Sequence, residues 1–295
     1  MISVVIPVYN QATALEFVLE GFEKQTYIGH FTIIVVDDGS DDDVKSVVEK
    51  FDNLDIQYVK QENKGRAAAR NTGIKNVTSE FVIFCDADRI PSSNFVQAYY
   101  EKLIQYPDCA CMGVPKEIYI SNYWDKKDKI CEVVLKDSGF AKEAYYSKVI
   151  KNIFNNEGFT DSSIQWIGTL SGNMGISLKK LKEVDGFDEN FVDWGFEHFE
   201  LGYRLYHNHV RFLRLEEAIN YHLPHTRGAC FYEKEIKKSH EYFYDKHKCI
   251  EVLKLREFML GNLSLQDYEM VVNKDASWLK YCSMPVYNKI FNLAK

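Results

Sequence analysis

The first 85 residues of the chain alternate apolar runs with segments of helical periodicity. Apolar runs lie at residues 2–7, 31–36 and 81–85, and the intervening residues 12–25 and 65–76 carry apolar side chains at helical spacing. Strands that alternate with helices favour a mostly parallel, doubly wound sheet with helices on both faces. We therefore expect an α/β fold organised by one such sheet.

Polar clusters follow three of the expected strands. Asn10 comes after the first strand, Asp37 and Asp38 come after the second, and residues 86–88 come directly after the apolar run FVIFC. In doubly wound sheets, ligands bind at the carboxyl ends of the strands. We therefore expect these clusters to converge on one crevice.

The segment Asp86-Ala87-Asp88 places two carboxylates at the end of a buried strand. Hard oxygen ligands of this kind suit Mg²⁺ or Mn²⁺. A divalent ion held here would bridge the phosphates of a sugar nucleotide and take up negative charge as the diphosphate leaves. The motif is only three residues long, so an ordinary polar turn is the competing interpretation.

The two aspartates after the second strand also have two interpretations. The Asp38 carboxylate is placed to accept hydrogen bonds from a base or a ribose. The alternative is a helix N-cap, a role that Ser40 and Asp41 would share. Because Asp37 and Asp38 cannot both be caps, we expect one of them to be free for a ligand.

Arg66 and Arg70 follow Asn63-Lys64-Gly65 at the start of the next predicted helix. Backbone N–H groups at a helix N-terminus attract anions, and the two arginines would add to that attraction. A solvated basic helix face is a serious alternative to an anion site.

These segments, in this order and spacing, resemble the nucleotide-binding half of family 2 glycosyltransferases, which have a Rossmann-like GT-A fold. The resemblance is carried by VVIPVYN, VVDDGSDDD, NKGRAAARNTG and FCDADRIP, which span the first hundred residues. It implies the following roles: Pro7 and Tyr9 would flank the base, Asp38 would bind uracil or ribose, Arg66 or Arg70 would lie near the nucleotide, Asp86, with Ala87 beside it, would approach the ribose, and Asp88 would bind the metal.

A second stretch is similar to galactosyl- and N-acetylgalactosaminyltransferases of the GT-A type. It contains SGNMGIS, VDGFDENF and WGFEHFEL, and the resemblance assigns Gly172, Asn173 and Trp194 to the nucleotide-sugar site. Many of these relatives carry Glu-Asp after the WGx motif and use that Asp as the base. This chain has Glu197 followed by His198.

The His198 substitution leaves three possibilities: Glu197 is the base, His198 is the base, or the chain has lost activity. Imidazole, with an unperturbed pKa near 6.5, is competent to take a proton at neutral pH. From the sequence we place Glu197 slightly ahead, because a carboxylate also hydrogen-bonds an acceptor hydroxyl. The structural alternative is an amphipathic helix, in which we expect Glu200 and Arg204 to pair at i,i+4.

His222 and His225 follow a strand-like segment, and a histidine in this region often completes the metal site of GT-A enzymes. We expect one of the two to join Asp88 in binding Mn²⁺ or Mg²⁺, without preference between them. A lone surface histidine is the commoner interpretation in general, but the upstream Asp-x-Asp segment favours the metal.

The pattern divides the chain into a GT-A domain at residues 1–228 and a helical C-terminal extension at residues 229–295. Within the domain, we assign residues 1–115 to the nucleotide-binding half and residues 116–228 to the acceptor and catalytic half. Residues 119–165 lose the strand-helix alternation, so we expect a helical or loop insertion on the acceptor side.

Charge and cysteine content limit the partners and the compartment. The formal net charge of -7 argues against a nucleic-acid partner, whose phosphates require a basic face. The seven cysteines form no CxxC pair, which favours reduced thiols in the cytoplasm. We expect no signal peptide and no transmembrane segment, although peripheral membrane association stays open.

Together these features predict a metal-dependent, inverting hexosyltransferase that moves a sugar from a UDP-sugar to a hydroxyl of a glycan, peptide, lipid or small molecule. The resemblance alone supplies the inverting stereochemistry. A non-catalytic sugar-nucleotide-binding protein is an alternative, and His198 is its best support. A nucleotidyltransferase is a weaker alternative, because no Gly-rich, basic phosphate loop follows the first strand.

Overall fold

A computed structural model describes residues 1–192, 195–225 and 231–273, without the side chains of residues 231–234. In these ranges one nine-stranded sheet runs through the molecule in the order β3-β2-β1-β4-β8-β6-β9-β5, with β7 paired to β6. The strands are β1 (Ile2–Val8), β2 (Phe31–Asp37), β3 (Ile56–Lys60), β4 (Phe81–Cys85), β5 (Arg89–Pro91), β6 (Cys109–Ile118), β7 (Ala141–Glu143), β8 (Asn173–Ser177) and β9 (Arg211–His222).

The four strands β1 to β4 are parallel, as the strand-helix alternation predicted. Strands β1 and β4 are almost entirely buried, because helices cover both faces of the sheet and leave no solvent side. This arrangement brings the carboxyl ends of all four strands to the same edge.

The rest of the sheet is mixed. Strand β8 is antiparallel to both β4 and β6, β9 is parallel to β6, and β5 and β7 pair in antiparallel fashion with β9 and β6. The strand-helix alternation in the sequence does not predict the directions of these strands, because strands that pair lie far apart in the chain and no single crossover helix joins them.

The α-helices in the described residues are α1 (Ala12–Glu23), α2 (Val44–Val48), α3 (Arg66–Asn76), α4 (Phe95–Gln105), α5 (Lys127–Lys136), α6 (Tyr145–Ile150), α7 (Leu178–Glu183), α8 (Glu197–His207), α9 (Phe231–His247), α10 (Ile250–Met259) and α11 (Leu265–Val272). The N-cap of α2 is Asp43, whose carboxylate accepts a hydrogen bond from the Ser46 N–H. The capping alternative for Asp38, Ser40 and Asp41 is therefore wrong, because the helix begins later than the sequence suggested.

Residues 119–165 form an irregular insertion, as expected. The segment contains α5, α6, two short 3₁₀ helices and the strand β7. Strand β7 was not predicted, because three residues give too little periodicity to recognise.

The C-terminal helices α9 to α11 pack against the side of the sheet that carries α8. Phe243, Phe258 and Tyr268 are buried in the same hydrophobic core as Trp166 and Phe199. The described part of the C-terminal segment is therefore helical and continuous with the core. No helix in the described ranges has both the length and the apolar character needed to cross a membrane.

Candidate active site

The loops after β1, β2 and β4 meet at one edge of the sheet. The Asn10 N–H donates to Ser40 Oγ at 3.0 Å, and Asn10 Oδ1 accepts from the Asp41 N–H at 2.8 Å. Gln11 Nε2 donates to Asp88 Oδ2 at 3.1 Å. The predicted convergence of the polar clusters is confirmed, since hydrogen bonds join the β1 loop both to the β2 loop and to the β4 loop.

The two carboxylates of the Asp86-Ala87-Asp88 segment face different partners. Asp86 Oδ1 accepts from Arg70 Nη2 at 2.8 Å, and Asp86 Oδ2 lies 3.4 Å from Arg89 Nε. Asp88 instead faces two histidines, and Ala87 between the aspartates is fully buried. Asp88 is therefore the carboxylate of this segment that lies beside other candidate metal ligands.

Asp88, His222 and His225 form a cluster whose ligand atoms all lie within 4.8 Å of one another. His222 Nε2 lies 3.4 Å and His225 Nδ1 lies 3.8 Å from Asp88 Oδ2. The antiparallel pairing of β5 with β9 sets Arg89 opposite His222 and so brings the histidines beside the strand-end aspartate. Both histidines are therefore within reach of one ion.

Glu117, on β6, supports this cluster from behind. Its Oε2 lies 2.6 Å from His222 Nδ1, which leaves Nε2 directed at Asp88. A carboxylate on the second ring nitrogen fixes the tautomer and orientation of histidines that bind metals. The sequence analysis missed Glu117, and its only signal was a charged residue near the end of an apolar strand.

The electrostatics of the cluster favour a cation. Burial disfavours protonation of His222, but Asp88 and then Glu117 raise its pKa to about 9 against the opposing charge of Arg89. Burial likewise opposes ionisation of Asp88, yet His222, Arg89 and His225 hold the pKa of Asp88 well below its usual range. A site that stabilises a proton on His222 so strongly has negative charge to offer a metal ion.

Glu197 is buried at the start of α8, with 1% of its surface exposed. Its Oε1 accepts from Arg70 Nη1 at 2.9 Å, and Arg66 Nη1 lies 4.0 Å away. Arg70, itself buried, links Glu197 to Asp86 and so joins α8 to the end of β4. Burial opposes ionisation of Glu197, but His198, Arg66 and Arg70 hold its pKa well below the usual range.

His198 is the more accessible member of the pair, since 20% of its side chain is exposed. Its Nδ1 lies 3.7 Å from Glu197 Oε2, an oxygen that is buried and has no hydrogen-bond partner among the described residues. The backbone reaches this pair through consecutive positive φ angles, 94° at Gly195 and 71° at Phe196. A bulky residue in the left-handed region is strained, and such strain is typical of functional sites.

Asp37 and Asp38 both bind the protein. Asp37 accepts from the Ser40 N–H at 2.8 Å and from the Tyr58 hydroxyl at 2.6 Å. Asp38 accepts from Gln61 Nε2 and from two backbone N–H groups, those of residues 64 and 65, at 2.7 to 2.9 Å. Both carboxylates thus have protein partners, and the loop that enters α3 folds back onto Asp38; binding of a ligand by Asp38 stays a prediction.

The remaining predicted residues lie at varied depths. Pro7 lies in β1, and Tyr9, which directly follows that strand, is half-exposed. Arg66 is the first residue of α3 and is exposed. Asn173 is buried, and its side chain binds the Tyr99 hydroxyl at 2.7 Å. Trp194 lies outside the described residues.

Gly172 allows a close approach in the centre of the site. A Cβ atom there would lie 2.2 Å from Asp86 Oδ2 and 2.8 Å from Arg89 Nε. Its carbonyl accepts from Asn220 Nδ2 at 2.7 Å. Arg89 lies within FCDADRIP but was given no role in the sequence analysis, and Asn220, like Glu117, was not identified there.

Comparison with known proteins places this arrangement in a family. The sequence pattern of "Glycosyl transferase family 2" matches residues 3–168, which is more than half of the chain. The chain belongs to glycosyl transferase family 2. A second pattern, "N-terminal domain of galactosyltransferase", matches residues 157–226 of this family 2 chain and so includes α8 and the histidines of β9. The predicted membership is confirmed.

Several curated relatives of this family 2 chain are polysaccharide synthases. It is 28% identical to chondroitin synthase of Escherichia coli over 290 residues, covering 90% of this chain and 42% of that protein. It is 27% identical to hyaluronan synthase of Pasteurella multocida over 238 residues, covering 75% of this chain and 24% of that protein. The chain thus spans less than half the length of these relatives.

Solved structures support the fold of this family 2 chain. The crystal structure of S. aureus TarS 1-349 superposes with a TM-score of 0.62 at 19% identity, covering 87% of this chain and 71% of that one. The complex of the same protein with UDP-GlcNAc gives a TM-score of 0.61 at 20% identity, covering 92% and 70%. The predicted GT-A fold is confirmed by this likeness.

Proposed function

We propose that this family 2 chain is a metal-dependent, inverting hexosyltransferase that transfers a sugar from a UDP-sugar to an acceptor hydroxyl. The observation that carries the proposal is the cluster of Asp88, His222 and His225 at the edge of the sheet where the β1, β2 and β4 loops meet. TarS, a structural neighbour, was solved with UDP-GlcNAc and with UDP, which supports a UDP-linked donor.

The three proposed metal ligands fit Mn²⁺ better than Mg²⁺. One carboxylate and two imidazoles are borderline ligands, whereas Mg²⁺ prefers oxygen ligands throughout. When bound, the ion would supply charge neutralisation for the departing diphosphate. Asp88, His222 and His225 would hold it, and Glu117 would keep His222 in the correct tautomer.

His198 is proposed as the base that takes the acceptor proton. It occupies the position where many relatives carry the basic Asp, and its side chain is partly exposed. Glu197, which the sequence favoured slightly, is buried against Arg70 with a strongly lowered pKa and is therefore a weak base. Inversion follows if His198 activates the hydroxyl on the face opposite the leaving diphosphate.

The donor half is proposed to lie along the β1, β2 and α3 loops. Tyr9 and Pro7 would contact the base, Asp38 would fix the loop or the ribose beneath it, and Arg66 would attract the diphosphate at the start of α3. A cytoplasmic location remains a prediction, supported by the free thiols of the five described cysteines.

We expect UDP binding to depend on a divalent ion. Removing metal with EDTA should weaken UDP affinity by roughly 10²-fold, because an ion between the protein and the phosphates contributes several kcal/mol. Titration calorimetry of UDP with Mn²⁺, with EDTA, and after Mn²⁺ is restored measures this directly. Equal affinity under the three conditions would remove the metal from the proposal.

We expect Asp38→Ala to weaken UDP binding while the fold remains intact. The change removes the acceptor for the two backbone N–H groups at the entrance to α3, so the nucleotide loop loses its anchor. Hydrogen bonds to a charged acceptor contribute about 1.5–3 kcal/mol, which corresponds to about a tenfold or greater loss of affinity. Asp55→Ala, at an exposed carboxylate on the opposite end of the sheet, is the control. Unchanged UDP affinity in folded Asp38→Ala would contradict the assignment.

Turnover decides between the enzyme and a sugar-nucleotide-binding protein. Wild-type protein incubated with Mn²⁺ and a panel of UDP-sugars should release UDP. Tight UDP binding without UDP release from any UDP-sugar would favour the sugar-nucleotide-binding protein. The observation that motivates this alternative is His198, which stands where many relatives carry the basic Asp.

A further inference from the structure

Residues close to the cluster of Asp88, His222 and His225 form a surface of aromatic rings and lysines. Glu117 pairs with His222 on one side and with Lys142 of β7 on the other. Residues paired across strands project from the same face, and so do residues two apart on one strand. Lys142 and Tyr119 therefore share the face of the sheet on which Glu117 contacts His222.

Phe140 extends this surface by one more residue. The Tyr119 N–H donates to the Phe140 carbonyl at 2.9 Å, which continues the pairing of β6 with β7 and sets the two residues opposite each other. Each residue is 49% exposed, so half of each ring faces solvent. Tyr119 lies about 7 Å along the strand from Glu117. The surface therefore begins next to the metal cluster.

Each ring carries a lysine. Lys142 Nζ lies 6.0 Å from the centre of the Tyr119 ring, and Lys129 Nζ lies 4.4 Å from the centre of the Phe140 ring. Neither ammonium makes an ion pair within the part of the chain that the structure describes. Both positive charges therefore remain available to a ligand.

Glu117, which pairs across the strands with Lys142, is held by His222, and two further carboxylates have other partners. Glu143 accepts from the Ser147 hydroxyl and from Arg214, and Asp137 binds Lys116 and the Tyr221 hydroxyl. Neither Glu143 nor Asp137 pairs with Lys129 or Lys142, and Glu132, whose pKa is lowered by Lys136 and to a lesser extent by Lys129, pairs with Lys136. The two ammonium groups thus place positive charge beside the two rings.

We propose that Tyr119, Phe140, Lys129 and Lys142 form the binding surface for an acceptor glycan that carries anionic groups. The inference rests on the proposed function, since it names the acceptor class of the same site. Flat rings pack on the apolar faces of sugars, and the ammonium groups pair with carboxylates or phosphates along the chain. Tyr119 directly follows β6, Phe140 directly precedes β7, Lys142 lies on β7 and Lys129 lies on α5.

The test measures acceptor binding without donor. Calorimetry compares three oligomers of equal length: a glucuronate-containing oligosaccharide, a polyol phosphate oligomer and a neutral oligosaccharide. We expect one of the anionic oligomers to bind about tenfold more tightly than the neutral one, because two exposed ion pairs contribute roughly two- to fivefold each. Preference for one anionic oligomer identifies the anionic group as carboxylate or phosphate. Equal binding of all three overturns the proposal.

Matched variants locate the binding. Lys129→Gln combined with Lys142→Gln keeps the apolar stems and removes the charges, so the preference for the anionic oligomer should disappear. Lys45→Gln combined with Lys179→Gln, at two exposed lysines elsewhere, should keep it. Tyr119→Ala combined with Phe140→Ala should lower the binding affinity for all three oligomers, whereas Ile28→Ala combined with Ile104→Ala should not. A preference that survives in the Lys129 and Lys142 double variant overturns the proposal.

Donor turnover separates this inference from the proposed function. If wild-type protein hydrolyses or transfers a UDP-sugar but binds neutral and anionic oligomers alike, the surface assignment fails and the proposed function stands. If the anionic oligomer binds through these four residues and no UDP-sugar is turned over, the proposed function fails and the binding surface stands.

Discussion

Asp88→Asn is expected to lower sugar transfer by about 10³-fold or more, because it removes the anionic ligand from the metal cluster while keeping the shape of the side chain. An ion that stabilises the leaving diphosphate contributes several kcal/mol, and each 1.36 kcal/mol is a tenfold change in rate. The loss should be accompanied by a requirement for higher Mn²⁺ concentrations. Steady-state transfer measured across a Mn²⁺ titration tests both effects.

Graded controls make the Asp88 prediction specific. Glu117→Gln leaves the ligands in place and removes only the carboxylate behind His222, so it should cost about 10–100-fold in metal affinity or activity. Asp108→Asn, at an exposed carboxylate, should behave like wild type. If Asp88→Asn keeps more than a tenth of the wild-type rate at the same Mn²⁺ dependence, Asp88 is not a metal ligand.

The strand-end position of Asp88 was predictable, whereas its surroundings were not. The apolar run before Asp86 and the strand-helix alternation together require the aspartates to emerge at the ligand-binding edge. Glu117 and His222 lie 105 residues apart and meet only because β6 pairs with β9, a pairing that no local pattern reports. Sequence reasoning therefore found the residues at strand ends and missed the residue that orients them.

The partners of the predicted donor residues show a similar limit. Asp38 was identified by its place after β2, yet the loop that binds it lies more than 20 residues away and is anchored through its backbone N–H groups. Arg70 was identified as a basic residue near a helix start, but its helix turns it inward to join Asp86 and Glu197. Residue type at a strand or helix end was predictable; the direction of the side chain depended on tertiary packing.

The ion pair of Arg70 with Glu197 is the reason for proposing His198 as the base in place of Glu197. A carboxylate that is buried, paired with an arginine and held at a strongly lowered pKa takes a proton poorly, since a general base works best near the operating pH. Its second oxygen faces His198 Nδ1 at 3.7 Å. We therefore propose that Glu197 orients the imidazole and does not itself take the acceptor proton, as a carboxylate does in other histidine-based sites.

His198→Asn is therefore expected to lower transfer by roughly 10²–10⁴-fold while UDP binding survives, because the amide keeps a polar side chain but cannot take the proton. Glu197→Gln should cost less and act through the orientation of His198. His198→Asp, which restores the residue found in many relatives, should recover transfer, because a carboxylate at this position is again able to take the proton. The transfer rates of both variants are measured at saturating donor and acceptor, and thermal unfolding confirms that each variant is folded. A near-normal rate in His198→Asn together with a very low rate in Glu197→Gln would show that Glu197 is the base.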